Sequence, residues 1–186
     1  MNGACLQTAL AHAGAVSRSG VAYRLVPKRY ADPKDLLSGA GAARRGGRWN
    51  PPGVPAVYLS EDAALAVREV GYALSLGGEF SGFSKPPMML FSVRFVLQRL
   101  LLVDAALARA ACTSLQELLR PDFVRVLASG RVPASMQLGE AARAAGFEGL
   151  LVPSAQEPDA YNLVVFPDRL RAGSRLEPVL EETSPV

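Results

Sequence analysis

The order of strand-like and helix-like segments constrains the fold of this chain more than any other feature of its sequence. Strand-like runs occupy residues 23–26, 56–60, 89–96, 100–103, 149–153 and 161–166, and helical periodicity or capping residues favour helices over 62–76, from 114 and over 135–145. These segments do not follow the regular strand–helix–strand rhythm of a doubly wound parallel sheet. The sequence therefore predicts an α+β fold.

Length and charge limit the classes of protein that the chain can belong to. Its 186 residues suit one ordinary domain, with 49% hydrophobic and 20% charged residues. The net charge of +3 is well short of the dense basic stripe of a dedicated nucleic-acid binder, so an anionic small molecule suits it at least as well. We expect a folded single domain that does not contact nucleic acid directly.

The N-terminal segment and the two cysteines bear on the compartment. Residues 1–20 lack the basic start and unbroken apolar core of a signal peptide, and we expect them to form a helical extension. No stretch approaches the roughly 20 apolar residues of a membrane helix. Cys5 and Cys112 lie far apart and match no metal-binding spacing, so we predict a cytoplasmic, reducing location without a disulfide.

A loop rich in arginine, glycine and proline precedes the second strand. Gly46 and Gly47 allow close approach of a ligand to the backbone, and Arg48 follows them directly. A guanidinium grips phosphate or carboxylate through two parallel hydrogen bonds. Arg48 is therefore a candidate anion ligand, and the alternative is a loop arginine paired with a carboxylate.

Strand alternation brings Tyr58 into the candidate site. Tyr58 and Ser60 share one face of the strand over 56–60, and Val57 and Leu59 share the other. The ring of Tyr58 can line a cleft and stack on an aromatic ligand while its hydroxyl donates a hydrogen bond. A core tyrosine with a satisfied hydroxyl is the alternative.

Glu69 lies on an apolar stripe of the predicted helix over 62–76, together with Leu65, Tyr72 and Leu76. An ionised carboxylate among apolar neighbours is costly unless it has partners. Its position indicates either a salt bridge, for which Arg48 is one candidate, or a functional cleft.

The scarcity of histidine narrows the catalytic mechanisms that this chain can use. The single histidine, His12, would have to carry any serine-histidine triad, histidine metal site or histidine general base, which argues against each of these. Ser154 follows a strand and Pro153, where its hydroxyl either binds an oxygen-rich ligand or only closes a turn. Without an evident base beside it, Ser154 is not expected to act as a nucleophile.

Three blocks of sequence resemble the RES domain family, the toxins of bacterial toxin–antitoxin pairs. The blocks are Gly-Gly-Arg-Trp-Asn-Pro-Pro-Gly over 46–53 with Val-Tyr-Leu-Ser over 57–60, Ala-Ala-Leu-Ala-Val-Arg-Glu over 63–69, and Gly-Leu-Leu-Val-Pro-Ser over 149–154 with Asn-Leu-Val-Val-Phe-Pro over 162–167. The resemblance spans residues 23–170. It implies one compact domain over 21–178, related to ADP-ribosyltransferases, with a mixed or antiparallel split sheet flanked by helices and a flexible tail over 179–186.

The resemblance also implies an NAD⁺-consuming site. The expected catalytic residues are Glu69, Arg48 and Tyr58, and the expected substrate contacts are Tyr23, Arg24, Gly47, Arg48, Tyr58, Ser154 and Asn162. Glu69 would stabilise positive charge on the ribose, Arg48 and Arg24 would neutralise the pyrophosphate, and Tyr58 would pack near the nicotinamide. NAD⁺ would be a substrate, with neither a metal nor a separate cofactor.

Three functions stay open at this point. The first is depletion of NAD⁺ by a glycohydrolase or phosphorylase, and the second is mono-ADP-ribosylation of a target protein. The third is a non-enzymatic module that binds an anionic partner. The resemblance further implies an antitoxin with an Xre-like helix-turn-helix domain, to which any contact with DNA would belong.

Overall fold

The computed structural model describes residues 1–76, 87–120, 122–154, 157 and 159–179, without the side chains of 33 and 72–76. Its helices are α1 Gly3–His12, α2 Pro33–Leu36, α3 Ala40–Arg45, α4 Ala63–Leu76, α5 Ala105–Ala110, α6 Leu115–Leu118, α7 Phe123–Ala128 and α8 Ala134–Ala144. Its strands are β1 Ala15–Pro27, β2 Val57–Ser60, β3 Met88–Leu102, β4 Gly149–Pro153, β5 Tyr161–Val165 and β6 Arg175–Pro178. Within these residues no helix is long and apolar enough to cross a membrane.

The strands form one mixed six-stranded sheet in the order β1-β2-β5-β4-β3-β6, with β1 also paired to β3. β1 pairs along its length with β3, and β6 adds to the other edge of β3. β5 lies between β2 and β4. These pairings are antiparallel, whereas β3 and β4 pair in parallel. β1 meets β2 only at Tyr23 opposite Ser60. The predicted α+β class, with a mixed sheet flanked by helices, is confirmed.

Two clusters of buried apolar side chains hold the sheet and the helices together. One cluster takes residues from β1 to β5, among them Ala22, Leu59 and Phe95, and fills the space that the strands enclose. The other joins the sheet to the helices, with Trp49 at 2% exposure beside side chains of α1, α5 and α8. The second cluster therefore fixes the loop that carries Arg48.

Several predicted elements are found with different bounds. The strand expected over 100–103 is the end of β3, which runs unbroken from the strand expected over 89–96. Residues 40–45, for which the sequence predicted no regular structure, form helix α3. Asp62 caps α4, because its Oδ1 accepts a hydrogen bond from the Leu65 N–H at 2.9 Å. Residues 77–86, 121 and 180–186 lie outside the described residues.

The N-terminal segment differs from the expectation in two ways. Only Gly3–His12 is helical, since β1 already begins at Ala15. The prediction of unpaired cysteines is wrong, because Cys5 of α1 and Cys112 after α5 form a disulfide. They are 107 residues apart along the chain, but packing of α1 on α5 brings their Cα atoms to 5.8 Å. Spacing along a sequence does not reveal a pairing made by tertiary packing.

Glu148 is a buried carboxylate that ties three segments together. Its Oε2 accepts hydrogen bonds from the N–H groups of Gln98 and Arg99 at 2.7 and 2.8 Å, and its Oε1 accepts one from Arg171 at 2.7 Å. Burial opposes ionisation of Glu148, but these N–H groups favour the charged form and hold its pKa below the usual range. This carboxylate serves the fold, at the end of β4 opposite to Ser154.

Candidate functional site

A cavity of about 540 Å³ opens where β1 diverges from β2. Its walls come from β1, α3 and the loop after it, β2, α4 and β5. The predicted site residues that line it are Tyr23, Arg24, Gly47, Arg48, Tyr58, Glu69 and Asn162. Residues far apart in the sequence therefore meet at one cavity, and of the eight predicted positions only Ser154 does not line it.

Glu69 projects from α4 toward the ends of β4 and β5. Its Oε1 accepts hydrogen bonds from the Ser154 hydroxyl at 2.6 Å and the Asn162 amide Nδ2 at 2.8 Å. Within the described residues its Oε2 has no hydrogen-bond partner. The carboxylate is therefore partnered by a hydroxyl and an amide rather than by Arg48, and one of its oxygens is left for a ligand.

Ser154 lies behind Glu69, at 4% exposure. A hydroxyl has one proton to donate, and that of Ser154 goes to Glu69, while its oxygen accepts a hydrogen bond from the Glu157 N–H at 3.3 Å. The structure thus places Ser154 where it orients the carboxylate. The direct contact with substrate that the resemblance implies stays a prediction.

Arg24 carries a buried charge on β1. Its Nη1 is buried and has no hydrogen-bond partner within the described residues. Burial lowers the pKa of Arg24 to about 10, because removal from water disfavours the charged form. A buried guanidinium without an anion is costly, and the side chain lines the cavity, so it is suited to bind an anionic group there.

The Arg48 side chain is held by hydrogen bonds to main-chain carbonyls. Its Nη1 donates hydrogen bonds to the main-chain carbonyls of Leu119 and Arg120, each at 2.7 Å, and its guanidinium carbon lies 5.2 Å from the centre of the Phe123 ring. Arg48 thereby joins the loop after α3 to the segment between α6 and α7. It lines the cavity while one edge of its guanidinium holds this wall in place.

Tyr58 anchors the loop that carries Arg48. Its hydroxyl donates to Asn50 Oδ1 at 2.7 Å and accepts from the Trp49 N–H at 3.1 Å. Burial raises the pKa of Tyr58, so its hydroxyl stays protonated. A Cβ added at Gly47 would overlap the Tyr58 hydroxyl and Asn50, which explains the glycine there.

Two residues of this region were not predicted as site residues. Asn50, fully buried, donates to the carbonyls of Ala42, Pro51 and Val54 and so shapes the loop. Ser60 lines the cavity and donates to Asn162 Oδ1 at 2.7 Å. Asn50 lay inside the motif over 46–53, whereas the pairing of Ser60 with a strand 102 residues later left no local signal.

The described residues contain no group of three or more His, Cys, Asp or Glu side chains arranged to hold a metal ion. The polar groups at the cavity are instead the carboxylates of Asp35 and Glu69, guanidinium groups, hydroxyls and an amide. This set can hold an anionic, hydroxyl-rich ligand and stabilise a positive charge that develops on it.

Comparisons with known proteins point to one family. The chain is 55% identical over 38 residues to the NAD(+) phosphorylase MbcT of Mycobacterium tuberculosis, and equally to that of Mycobacterium bovis, over 20% of each chain. It is 52% identical over 44 residues to the Prs ADP-ribosylating toxin of Sphingobium sp., over 24% of this chain and 27% of that protein. The aligned segments thus span about a fifth to about a quarter of these relatives.

A solved structure extends the likeness over the whole domain. The fold matches a chain of the M. tuberculosis MbcT–MbcA toxin–antitoxin complex with a TM-score of 0.73 and 26% identity, covering 95% of this chain and 90% of that one. A family model described as the RES domain matches residues 21–184. The chain belongs to the RES domain family.

Proposed function

We propose that this protein is the toxin of a bacterial toxin–antitoxin pair and that it cleaves NAD⁺ between nicotinamide and ribose. One observation carries the proposal: the carboxylate of Glu69 lines the same cavity as the guanidinium of Arg24, whose buried Nη1 has no hydrogen-bond partner within the described residues. Its volume of about 540 Å³ lies within the usual range for small-molecule pockets. Family membership and the names of the relatives support the same function.

The polarity of the cavity suits this reaction. When the bond between C1′ of the ribose and the nicotinamide nitrogen breaks, its electron pair stays on the nitrogen and neutralises the pyridinium. Positive charge develops on the ribose, and the Glu69 carboxylate stabilises it electrostatically. Arg24 binds the pyrophosphate, with Arg48 at the same wall of the cavity. An oxygen of the acceptor then bonds to C1′.

We favour inorganic phosphate as the acceptor, with water as the alternative. Oε1 of Glu69 already accepts two hydrogen bonds, so Oε2 is left either to hold a ribose hydroxyl or to take a proton from water. Phosphate reaches the site as an anion and needs no base to become a nucleophile. The products would be free nicotinamide and ADP-ribose 1-phosphate, and the relative named NAD(+) phosphorylase agrees with this choice.

Transfer of ADP-ribose to a target protein is the second candidate, because one relative is named an ADP-ribosylating toxin. It shares the same first step and differs only in the acceptor. Whichever acceptor is used, we propose that the reaction takes place in the cytoplasm. NAD⁺ is the substrate, and the proposal includes no separate cofactor, metal ion, nucleic-acid contact or membrane.

We also propose that an antitoxin restrains this activity. The structural neighbour was solved as a toxin–antitoxin complex. The antitoxin of this chain would carry an Xre-like helix-turn-helix domain and a segment that blocks the cavity. A binding partner of this kind keeps a producing cell from losing its own NAD⁺.

The proposal is tested by nicotinamide release from NAD⁺ with purified protein. We compare wild type with Glu69→Gln, which keeps an oxygen that accepts from Ser154 and Asn162 but removes the charge. We expect kcat to fall by about 10² to 10³, as for loss of other preorganised electrostatic groups. Glu140→Gln, an exposed carboxylate on α8 outside the cavity, is the matched control and should retain full activity.

Three acceptor conditions separate the alternatives. Release that rises with phosphate concentration and yields ADP-ribose 1-phosphate supports phosphorolysis, and equal release without phosphate supports hydrolysis. A single labelled protein after incubation with labelled NAD⁺ and cell extract supports transfer. If folded wild type releases no nicotinamide under any of the three conditions, the enzyme proposal fails and a non-enzymatic binding module takes its place.

A further inference from the structure

Ser60 is a buried hydroxyl at the edge of the candidate site. It ends β2 at 5% exposure and lies directly opposite Asn162 in the β2–β5 pairing. Directly opposed residues of paired strands point to the same face of the sheet, and the two side chains meet with Ser60 Oγ 2.7 Å from Asn162 Oδ1. Both residues line the cavity.

The direction of the hydrogen bonds in this group is fixed by chemistry. An asparagine amide has a donor end and an acceptor end, while a carboxylate only accepts. Asn162 must therefore turn Nδ2 toward Glu69, at 2.8 Å, which turns Oδ1 toward Ser60. Ser60 must then be the donor, so the order runs from Ser60 through Asn162 to Glu69.

We propose that Ser60 is a positioning residue for NAD⁺ cleavage: its hydroxyl fixes the orientation of the Asn162 amide, which holds Glu69 by Oε1 and leaves Oε2 for the substrate. This inference rests on the function proposed above. Without the Ser60 hydroxyl, Oδ1 of Asn162 loses its donor, and the amide is free to turn its oxygen toward the carboxylate. Two acceptors would then face each other, and Glu69 would leave its position.

The expected kinetic effect separates positioning from binding. A displacement of about 1 Å at a reacting group lowers the rate by up to about 10². We therefore expect Ser60→Ala to lower kcat by about tenfold to hundredfold while KM changes by less than about threefold. Ser60→Thr keeps the hydroxyl on a β-branched side chain that suits a strand, and it should restore most of kcat.

A double-mutant cycle tests whether Ser60 acts through Asn162. If it does, Ser60→Ala should have almost no further effect in the Asn162→Ala background, because the group that it orients is already absent. Ser135→Ala is the matched control, since Ser135 is equally buried, at 3% exposure, on α8 outside the cavity. Additive losses in the cycle would overturn the inference, and so would a kcat for Ser60→Ala equal to that of wild type.

A spectroscopic readout tests the hydrogen-bond order without any activity. In ¹H–¹⁵N spectra of the full chain, we expect the Asn162 side-chain NH₂ signals to shift or broaden in Ser60→Ala and to stay unchanged in Ser135→Ala. Unchanged signals in Ser60→Ala would overturn the inference even if wild type is active. If wild type releases no nicotinamide, the proposed function fails, and the positioning role in cleavage fails with it. Should Ser60→Ala not fold, Ser60→Cys, with a weaker donor of similar shape, should give an intermediate kcat; wild-type kcat in Ser60→Cys would overturn the inference.

Discussion

The α4 side of the cavity and the β1 side are built in opposite ways. On the α4 side, Glu69 is held by Ser154 and Asn162, and Asn162 is held by Ser60. On the β1 side, the buried Nη1 of Arg24 has no hydrogen-bond partner in the described part of the chain. A group held by the protein is preorganised for chemistry, whereas a buried charge without a partner is stabilised only when an anion binds. We infer that chemistry belongs to the first side and anion binding to the second.

Two of the arginines that line the cavity, Arg48 and Arg24, sharpen this contrast. Arg48 donates to two main-chain carbonyls between α6 and α7 and lies over Phe123, so part of its function is to hold a wall. In Arg24, by contrast, the buried Nη1 has no hydrogen-bond partner among the described residues. Although the motif drew attention to Arg48, we therefore propose Arg24 as the principal ligand of the pyrophosphate.

The largest effect is expected from Arg24→Met. Loss of a buried guanidinium that pairs with the pyrophosphate should lower kcat/KM by about hundredfold or more, mainly through KM. The same change should stabilise the protein without ligand, because it removes a buried charge that lacks a partner. A gain of about 1 kcal/mol would raise Tm by about 2–4 °C, which a thermal scan without NAD⁺ measures.

Arg18→Met is the control for that prediction, since Arg18 is an exposed arginine on the same strand and does not line the cavity. Neither its KM nor its Tm should change appreciably. A lower Tm for Arg24→Met, with KM unchanged, would mean that Arg24 serves the fold, and the contrast between the two sides would be lost.

Local patterns in the sequence predicted most of the strands and the longer helices, because alternation and capping depend on near neighbours. They indicated β4 at its full extent and Glu69 on an apolar stripe. Other cavity residues, Arg24 and Asn162 among them, were predicted only through the family resemblance. The local patterns did not reveal that Ser154 and Asn162 are the partners of Glu69. They also did not reveal the hydrogen bond of Ser60 or the disulfide of Cys5. Each of these depends on segments about 85 to 107 residues apart that only the folded sheet and helices bring together.

A second buried carboxylate, that of Glu148, tests whether a complete set of hydrogen-bond donors is enough to make a carboxylate catalytic. Glu148 is held by three main-chain N–H groups but lies outside the cavity, so Glu148→Gln should destabilise the fold by about 3 kcal/mol while kcat of the folded fraction is unchanged. Denaturant unfolding and nicotinamide release measure the two effects.

The pH dependence of this difference has a definite sign. Because the folded-state pKa of Glu148 lies below the ordinary value of 4.5, its contribution to stability is fully present above that value and is lost as pH falls through the lower one. The gap in unfolding free energy between wild type and Glu148→Gln should therefore narrow below pH 4.5. A gap that stays constant there would show that ionisation of Glu148 contributes nothing.

A smaller effect is expected from Tyr58→Phe, which keeps the ring at the cavity and removes the hydroxyl. Asn50 then loses a donor and the Trp49 N–H loses an acceptor, so stability should fall by about 1–2 kcal/mol. The loss of kcat in Tyr58→Phe should be at least about tenfold smaller than the loss in Glu69→Gln, because the charged groups remain. A loss as large as that of Glu69→Gln would place the Tyr58 hydroxyl in the chemistry itself.

The division between the two sides of the cavity is tested most directly by binding of NAD⁺ to protein that cleaves it very slowly. Calorimetric titration of NAD⁺ into Glu69→Gln, and into Glu69→Gln with Arg24→Met, measures binding while cleavage is slowed by about 10² to 10³. We predict that Glu69→Gln binds NAD⁺ and that the added Arg24→Met change weakens Kd by about hundredfold. Equal Kd values for the two proteins, or absence of binding to folded Glu69→Gln, would contradict the assignment of anion binding to Arg24 and of chemistry to Glu69.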